Sequence, residues 1–265
     1  MKNLIFNTGK ATLNLWQHIR EILFLFHKTI LAIVTGPFKK KITKRESIFQ
    51  QMVFAGVQSL VIVFFISLFT GIVIAMQSAY QLKQLGATIY VAAMVSISMA
   101  RELGPVFTAL VVTGRVGSAI TAELGTMKVS EQIEALETLA IDPIRFLVVP
   151  RFLALLVMLP CLTLISDAVG ILGGLIVGVN NLKLNMYRYL SFSFDLMTWK
   201  DVWTGIIKSA VFAIIIAMIS CYVGLDTRGG AEGVGRSTTL SVVISFILII
   251  LFDCILTGIF YFWNV

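Results

Sequence analysis

The amino-acid sequence predicts an all-α, polytopic membrane protein, and its composition and long uncharged runs carry that prediction. Hydrophobic residues make up 58% of the 265 residues and charged residues only 13%, about half the charged share of a typical soluble protein. No charged residue occurs between Ser47 and Leu82, although about 20 apolar residues already suffice to cross a bilayer. These observations argue against a soluble globular enzyme and against a disordered chain.

Five apolar segments are long enough to cross the membrane. They occupy residues 53–76, 86–125, 146–180, 205–225 and 239–263, and polar stretches occupy residues 126–145, 181–204 and 226–238. The second segment would be about 60 Å long as one straight helix, twice the thickness of the bilayer core. Gly104-Pro105 is its natural break, because proline removes a backbone donor and clashes with the preceding turn. The residues leave open one long kinked helix, which gives five spans, or two short helices, which give six.

The positive charge of the chain is concentrated at its N terminus. The net charge is +7, but residues 1–45 carry nine Lys and Arg and one acid, Glu21, a balance of +8, and the remainder carries −1. Because basic segments flanking spans stay in the cytoplasm, we expect a cytoplasmic N terminus. This distribution gives no reason to expect a nucleic-acid partner.

Residues 13–34 are predicted to form an amphipathic helix that lies in the membrane interface. Its uncharged core, Ile22 to Phe26, is too short to span the bilayer, and a further short span is the alternative. The basic run Lys39-Lys40-Lys41, with Lys44-Arg45, fits a cytoplasmic position and adds attraction to anionic lipid. We therefore divide the chain into a basic N-terminal segment, residues 1–46, and a membrane domain, residues 47–265.

Charged residues inside the apolar segments are the first functional candidates, because each is costly at membrane depth unless it is paired or faces a cavity. They are Arg101, Glu102, Arg115, Glu123, Asp167, Lys208 and Asp253. Lys208 and Asp253 lie in different spans and have opposite charges, which predicts an ion pair between two helices. The pair either serves the function or only fixes helix registry. Arg115 and Glu123 lie beyond the membrane edge if the second helix protrudes.

A repeat of glycines in the third span indicates a close contact between helices. Gly170, Gly174 and Gly178 recur every four residues and form a flat strip against which another helix can pack closely. Packing within one subunit is the favoured interpretation, and a sliding contact is the alternative.

A short amphipathic helix is predicted over residues 129–140, with Ser130 as its N-cap and Asp142-Pro143 after its end. Its apolar face comprises Val129, Ile133, Leu136 and Ala140, and its acidic residues are Glu131, Glu134 and Glu137. This helix is too polar to insert into the bilayer. It either rests on the lipid headgroups or docks into a groove of another protein.

The sequence lacks the residue sets of the common catalytic sites. No G-x-x-x-x-G-K-[ST] motif occurs, so the chain does not hydrolyse ATP by that route. The two histidines, His18 and His27, precede the spans, which excludes an intramembrane Ser/His pair or HExxH zinc site. Three cysteines in apolar runs give neither a disulfide framework nor metal-ligand spacing. We therefore predict no catalytic residue, no metal site and no cofactor in this chain.

Residues 100–151 closely resemble the MlaE/YrbE permease family, the membrane subunits of bacterial ABC systems that move phospholipids between the inner and outer membranes. The resemblance rests on the pieces RELGP, GRxGSAxTAExGxM and DPIRFLVxPR, and it extends over about residues 47–263. Further matches are VGILGGLIVG in the third span, IKSAVFA at residues 207–213, the Arg236–Thr239 step and Asp253. The first 45 residues match only in their basic, amphipathic character.

The resemblance implies a homodimer with five spans per subunit, preceded by an interfacial helix, with the C terminus in the periplasm. It implies two cytoplasmic ATPase subunits, which bind ATP and Mg²⁺, and a hexameric MCE-domain protein on the periplasmic side. It leaves open a small cytoplasmic STAS-type subunit, the lipid class and the direction of transport. A stand-alone proton-coupled transporter that uses the intramembrane charges is the competing hypothesis.

The resemblance also implies roles for particular residues. The helix at 129–140 becomes the coupling helix that seats in the ATPase, through Glu131, Ile133, Glu134, Leu136 and Glu137. A lipid cavity in the dimer is lined by Gln77, Tyr80 and Leu103. An intramembrane charge network comprises Arg101, Glu102, Arg115, Glu123, Lys208 and Asp253.

Overall fold

A computed structural model describes residues 2–35 and 45–263 of the chain, and its elements over those residues are helices. They are α1 (Lys2–Thr35), α2 (Arg45–Gln84), α3 (Tyr90–Val129), α4 (Gln132–Thr138), α5 (Ile144–Asn180), α6 (Met186–Leu196), α7 (Trp199–Leu225) and α8 (Gly230–Trp263). The basic run at Lys39-Lys40-Lys41 and Lys44 lies outside the described residues.

Five of these helices, α2, α3, α5, α7 and α8, are long and apolar enough to cross a membrane. The predicted fold class, an all-α polytopic membrane protein, is therefore confirmed, and five spans replace the alternative of six. Since each helix crosses once, the start of α2, the short helix α4 and the turn between α7 and α8 lie on one side. The α2–α3 turn, α6 and the end of α8 lie on the other side.

The long second span, α3, is continuous through Gly104-Pro105. Because Pro105 has no N–H to donate to the carbonyl of Arg101, the helix widens there instead of breaking, into a π-helical turn at Met99–Leu103. A second π-helical turn follows at Thr113–Gly117. These turns rotate the side chains beyond them relative to a regular helix, so the 3.6-residue period does not predict which neighbours they meet.

The first span is interrupted at Gly56, where a short 3₁₀ turn, Val57–Ser59, joins its two parts. Arg115 of α3 bridges this interruption. Its guanidinium donates from Nη1 to the carbonyl of Phe54 (2.9 Å) and to Ser59 Oγ (2.8 Å). Arg115 therefore ties the second span to the first.

The N-terminal helix α1 is longer than the predicted residues 13–34 and amphipathic as expected. Leu25 and Thr29 are buried, and Phe26 packs edge-on against Phe152 of α5, whereas Leu23 and Phe24 are exposed. One face of α1 therefore rests against the bundle, and the opposite face is available to lipid.

The predictions for the start of the fifth span, for residues 181–204 and for the cap of α4 were wrong. The fifth span begins at Gly230 rather than at 239, because Gly229 and Gly230 adopt positive φ angles that complete the turn and let the helix start early. The polar stretch 181–204 contains an unpredicted helix, α6, which begins at Met186. Its N-cap is Asn185, whose side chain accepts a hydrogen bond from the N–H of Tyr187 (2.8 Å). Ser130 does not cap α4, because its hydroxyl donates to the carbonyl of Thr126 (2.7 Å) in the preceding helix.

The glycine strip of α5 packs within the chain. An added Cβ at Gly170 would meet the Met99 side chain, and Cβ atoms at Gly174 and Gly178 would meet Tyr189 of α6. Tyr189 is fully buried. The strip is therefore a notch that receives Met99 and Tyr189, in agreement with the favoured interpretation of packing inside one subunit.

Candidate functional site

The most heavily charged buried site is centred on Lys208, whose side chain is fully buried in α7. Its ammonium donates hydrogen bonds to Glu102 of α3, to Asp253 Oδ1 (2.9 Å) and to Thr257 Oγ1 (2.7 Å) of α8. Three different spans thus converge on one cation. An ammonium has three N–H donors, and each finds an acceptor here, which offsets the cost of burying the charge.

The local sequence explains how these groups meet. Glu102 lies in the π-helical turn that precedes Pro105. Asp253 and Thr257 are four residues apart, so they share one face of α8. The Thr257 hydroxyl lies 2.8 Å from the backbone carbonyl of Asp253 and 3.2 Å from Glu102 Oε1, so it links α8 to the Glu102 carboxylate. We call Glu102, Lys208, Asp253 and Thr257 the lysine cluster.

The lysine cluster has one cation and two acids, so its formal charge is −1 when both carboxylates are ionised. The Lys208 side chain is fully buried, but the side chains of Glu102 and Asp253 are 37% and 22% exposed. The acidic side of the cluster therefore faces outward from this chain. A polar headgroup or a second subunit can approach it there.

Arg101 and Glu102 are adjacent in sequence but have different partners. Arg101 pairs with Asp201 near the start of α7. Asp201 is buried, and its Oδ2 also accepts from the backbone N–H (2.7 Å) and hydroxyl (2.9 Å) of Thr198 in a capping box. The Arg101 side chain remains 48% exposed, so Asp201 anchors the guanidinium without enclosing it.

The predicted charge network is therefore not one network. Arg115 binds the interruption of α2, and Glu123 pairs with the buried Arg151 of α5 (2.8 Å). Both are too far along α3 to join the lysine cluster: Arg115 is 13 residues from Glu102, which is about 20 Å on a helix. The resemblance grouped charges from three spans into one network, whereas each charge pairs with the neighbouring helix that lies at its own depth.

Asp167 of α5 is a buried carboxyl that forms no ion pair among the described residues. Its Oδ1 has no hydrogen-bond partner, and it occupies the space where a Cβ on Gly104 would lie. Gly104 directly follows the π-helical turn that carries Glu102. The Asp167 side chain therefore packs against the backbone that positions the lysine cluster.

The predicted cavity residues are not enclosed within this chain. Gln77 and Tyr80 are exposed on α2, and Leu103 is half-buried against the apolar cluster that includes Ala79 and Val91. The prediction placed the cavity between two subunits, so these three positions stay a prediction.

The short helix α4 is attached to the spans on both sides. Ile133 is buried in the main core and Leu136 is packed against it. The Lys128 ammonium at the end of α3 donates a hydrogen bond to Glu134, which lowers the pKa of that carboxyl. Glu131, with a left-handed φ of 58°, makes the tight turn between α3 and α4. Glu131, Glu137 and Leu139, which is 70% exposed, remain free of the core.

Sequence reasoning missed several of the residues that pair with the predicted charged side chains. Thr257 was detectable, because it follows Asp253 at helical spacing on an otherwise apolar face. Asp201 gave a capping signal, Thr198-x-x-Asp201, but it lay in a stretch interpreted as a loop. Arg151 carries no local signal that links it to Glu123, which is 28 residues away.

Comparisons with known proteins agree with one another. The profile of the family described as Permease MlaE matches residues 48–259. A probable ABC transporter permease protein of Rickettsia bellii is 40% identical over 259 residues, with 98% of each chain covered. The intermembrane phospholipid transport system permease protein MlaE of Haemophilus influenzae is 34% identical over 261 residues, again with 98% of each chain covered. The chloroplastic protein TRIGALACTOSYLDIACYLGLYCEROL 1 of Arabidopsis thaliana is 38% identical over 97% of this chain and 72% of its own length.

Proposed function

The chain belongs to the MlaE permease family, and on this premise we propose that it is the inner-membrane subunit of an ABC transporter that moves phospholipids between the inner and outer membranes. It works as a homodimer, and the lipid occupies a cavity between the two copies. ATP and Mg²⁺ are bound by two separate cytoplasmic ATPase subunits, so this chain performs no covalent chemistry. A hexameric MCE-domain protein receives or supplies the lipid on the periplasmic side, and a small cytoplasmic STAS-type subunit completes the set of proposed partners.

The helix α4 is the single observation that carries this proposal. It lies on the same side of the membrane as the start of α2, and the basic N-terminal segment assigns that side to the cytoplasm. Its acidic and apolar exposed residues, Glu131, Glu137 and Leu139, suit a groove on the ATPase. The C terminus then faces the periplasm.

The attachments of α4 give the proposal a mechanism. Ile133 and the Lys128–Glu134 pair fix α4 to the core and to the end of α3. At its other end, the N–H of Ile141 donates to the carbonyl of Leu136 in α4 (3.0 Å), and Asp142 Oδ1 accepts a hydrogen bond from the N–H of Ile144 (3.0 Å) at the start of α5. A displacement of α4 by the ATPase is therefore transmitted to α3 and α5 as a rigid-body shift. Glu102 lies on α3, so the lysine cluster moves with it.

The lipid cavity is assigned to the surface that this chain leaves uncovered. α2 and α8 are the least buried of the spans, and Gln77 and Tyr80 are exposed on α2. Leu103 lies next to Glu102 on α3. An apolar cavity with a few charged groups at its wall suits an anionic headgroup with apolar tails. The exposed Arg101 supplies the positive charge that an anionic headgroup needs.

We expect the double substitution Glu137→Lys and Leu139→Asp to weaken association with the ATPase about tenfold or more, because it reverses a charge and removes an apolar contact at a docking surface. The measurement is co-purification of the ATPase with the permease and the ATPase activity of the purified complex. Glu134 is a poorer choice for charge reversal, since its loss also breaks the pair with Lys128.

The matched control is Asp195→Lys with Leu196→Asp on α6, which makes the same changes at exposed residues on the opposite side of the membrane. It should leave ATPase association unchanged. Equal co-purification of the α4 variant and the control would contradict the coupling role. Lipid transport by the isolated chain in liposomes along a proton gradient would instead support a stand-alone proton-coupled transporter.

A further inference from the structure

A cavity of about 580 Å³ lies between α1, α7 and α8, well away from the lysine cluster. His18, Asp226 and Ser237 line its polar end, and Ile219, Ile244 and Leu248 line its apolar end. Asp226, directly after α7, is 18 residues beyond Lys208, which places the two sites about 27 Å apart along the helix. We call this cavity the α1 groove.

The α1 groove is oriented with its polar end toward the membrane surface. Asp226 follows the last residue of α7, and Ser237 lies in the first turns of α8, so both are at the end of the bundle that carries α4. Leu248 is 11 residues further along α8, about 16 Å deeper. The groove therefore runs from the membrane surface into the apolar layer, with its polarity falling on the way.

A chain of hydrogen bonds holds α1 over the groove. The Tyr222 hydroxyl donates to Glu21 Oε2 (2.7 Å) and lies 2.6 Å from His18 Nδ1. Since the single phenol hydrogen goes to Glu21, Nδ1 of His18 is the donor to the phenol oxygen. The Nε2 atom of His18 is left for another partner. The outer wall of the groove is thus fixed by polar contacts rather than by apolar packing alone.

The position of the groove selects its occupant. Leu240 at its rim is 53% exposed, so the groove opens sideways to the bilayer. Because its wall is apolar and in contact with the bilayer, the groove favours a hydrocarbon chain over water.

The polar end selects the headgroup. Asp226 supplies a carboxylate, whereas no Lys or Arg lines the groove within the described residues. Arg228 approaches Asp226 only at 3.4 Å and is almost fully exposed, so it leaves the carboxylate accessible. An ammonium group therefore finds a counter-charge here, and the hydroxyl of Ser237 is placed to donate to a phosphate oxygen.

We propose that the α1 groove binds one phospholipid of the cytoplasmic leaflet, with an acyl chain along Ile219, Ile244 and Leu248 and an amine-bearing headgroup at Asp226. The proposal rests on the membrane orientation given under Proposed function. It does not depend on transport activity or on the cavity between subunits. It adds a second lipid site, in the leaflet that faces the ATPase.

The test uses the full permease complex in nanodiscs that contain a phosphatidylethanolamine with a photoactivatable acyl chain. We expect crosslinks to residues 237–248 of α8, and a loss of about fivefold or more in the variants Leu240→Trp and Ile244→Trp, which fill the groove. Ile255→Trp, on the same helix but outside the groove, is the matched control and should retain the labelling. Co-purification of the ATPase reports separately on assembly and on the proposed function.

The headgroup is tested by competition. Asp226→Asn should reduce the preference for phosphatidylethanolamine over phosphatidylglycerol by about threefold, as expected for an exposed charge pair. Labelling that persists in both tryptophan variants would overturn the site. So would crosslinks from α8 to a helix of a partner protein in place of lipid. An unchanged preference in Asp226→Asn would overturn the headgroup assignment.

Discussion

Replacement of Lys208 by methionine is expected to lower the free energy of unfolding by about 3 kcal/mol or more. Methionine preserves the length of the side chain but removes the ammonium, and so leaves Glu102 and Asp253 facing one another without a cation. Removal of one partner from a buried ion pair costs about 3–5 kcal/mol, because the remaining charge is uncompensated. The measurement is chemical or thermal unfolding of the purified protein in a fixed detergent or nanodisc.

The neutral counterparts make this prediction specific. Glu102→Gln and Asp253→Asn each leave Lys208 with one carboxylate, so each should cost clearly less than Lys208→Met. The triple variant, with all three groups neutral, should recover most of the loss, because no charge remains buried. Additive effects of the three substitutions would show that the groups do not act as one cluster.

The lysine cluster shows how far sequence reasoning reaches in a membrane domain. The cost of a bare charge in the bilayer predicted correctly that Lys208 has an acidic partner on another span, and the opposite sign of Asp253 identified it. Glu102 was assigned to the charge network but not to Lys208 in particular. The π-helical turn at Met99–Leu103 changes the direction in which the side chains of α3 point, and the sequence does not reveal that change. The proline that causes the turn was recognised, but the size of the rotation depends on how the neighbouring helices pack.

The same limit applies to the boundaries and to the glycine strip. The periodicity of Gly170, Gly174 and Gly178 indicated a close contact, yet the side chain that fills it, Tyr189, lies in a stretch interpreted as a loop. Apolar content locates spans well, since the bilayer imposes it on every residue of a span. Polar helices such as α6 depend on single caps and on tertiary contacts, which composition does not reveal.

Gly71→Ala is expected to destabilise the protein by about 2–3 kcal/mol, although alanine is the better helix former. A Cβ at Gly71 would lie 1.9 Å from the carbonyl oxygen of Gly170, on the backbone of α5. A backbone atom cannot rotate away as a side chain can, so α2 and α5 must separate, and insertion of volume into a tight contact typically costs 1–3 kcal/mol. The measurement is the free energy of unfolding under the conditions used for Lys208→Met.

The control reverses the sign of the effect. Gly258→Ala on α8 introduces the same methyl group where no atom lies within 4 Å, so the gain in helix propensity, up to about 1 kcal/mol, should appear as a small stabilisation. Equal effects of the two substitutions would mean that α2 and α5 do not approach as closely as Gly71 and Gly170 indicate. Because α2 also carries Gln77 and Tyr80, a displaced α2 in Gly71→Ala should reduce lipid transport, whereas Gly258→Ala should reduce it less. A Gly71→Ala variant that keeps full transport despite reduced stability would separate this contact from the lipid path.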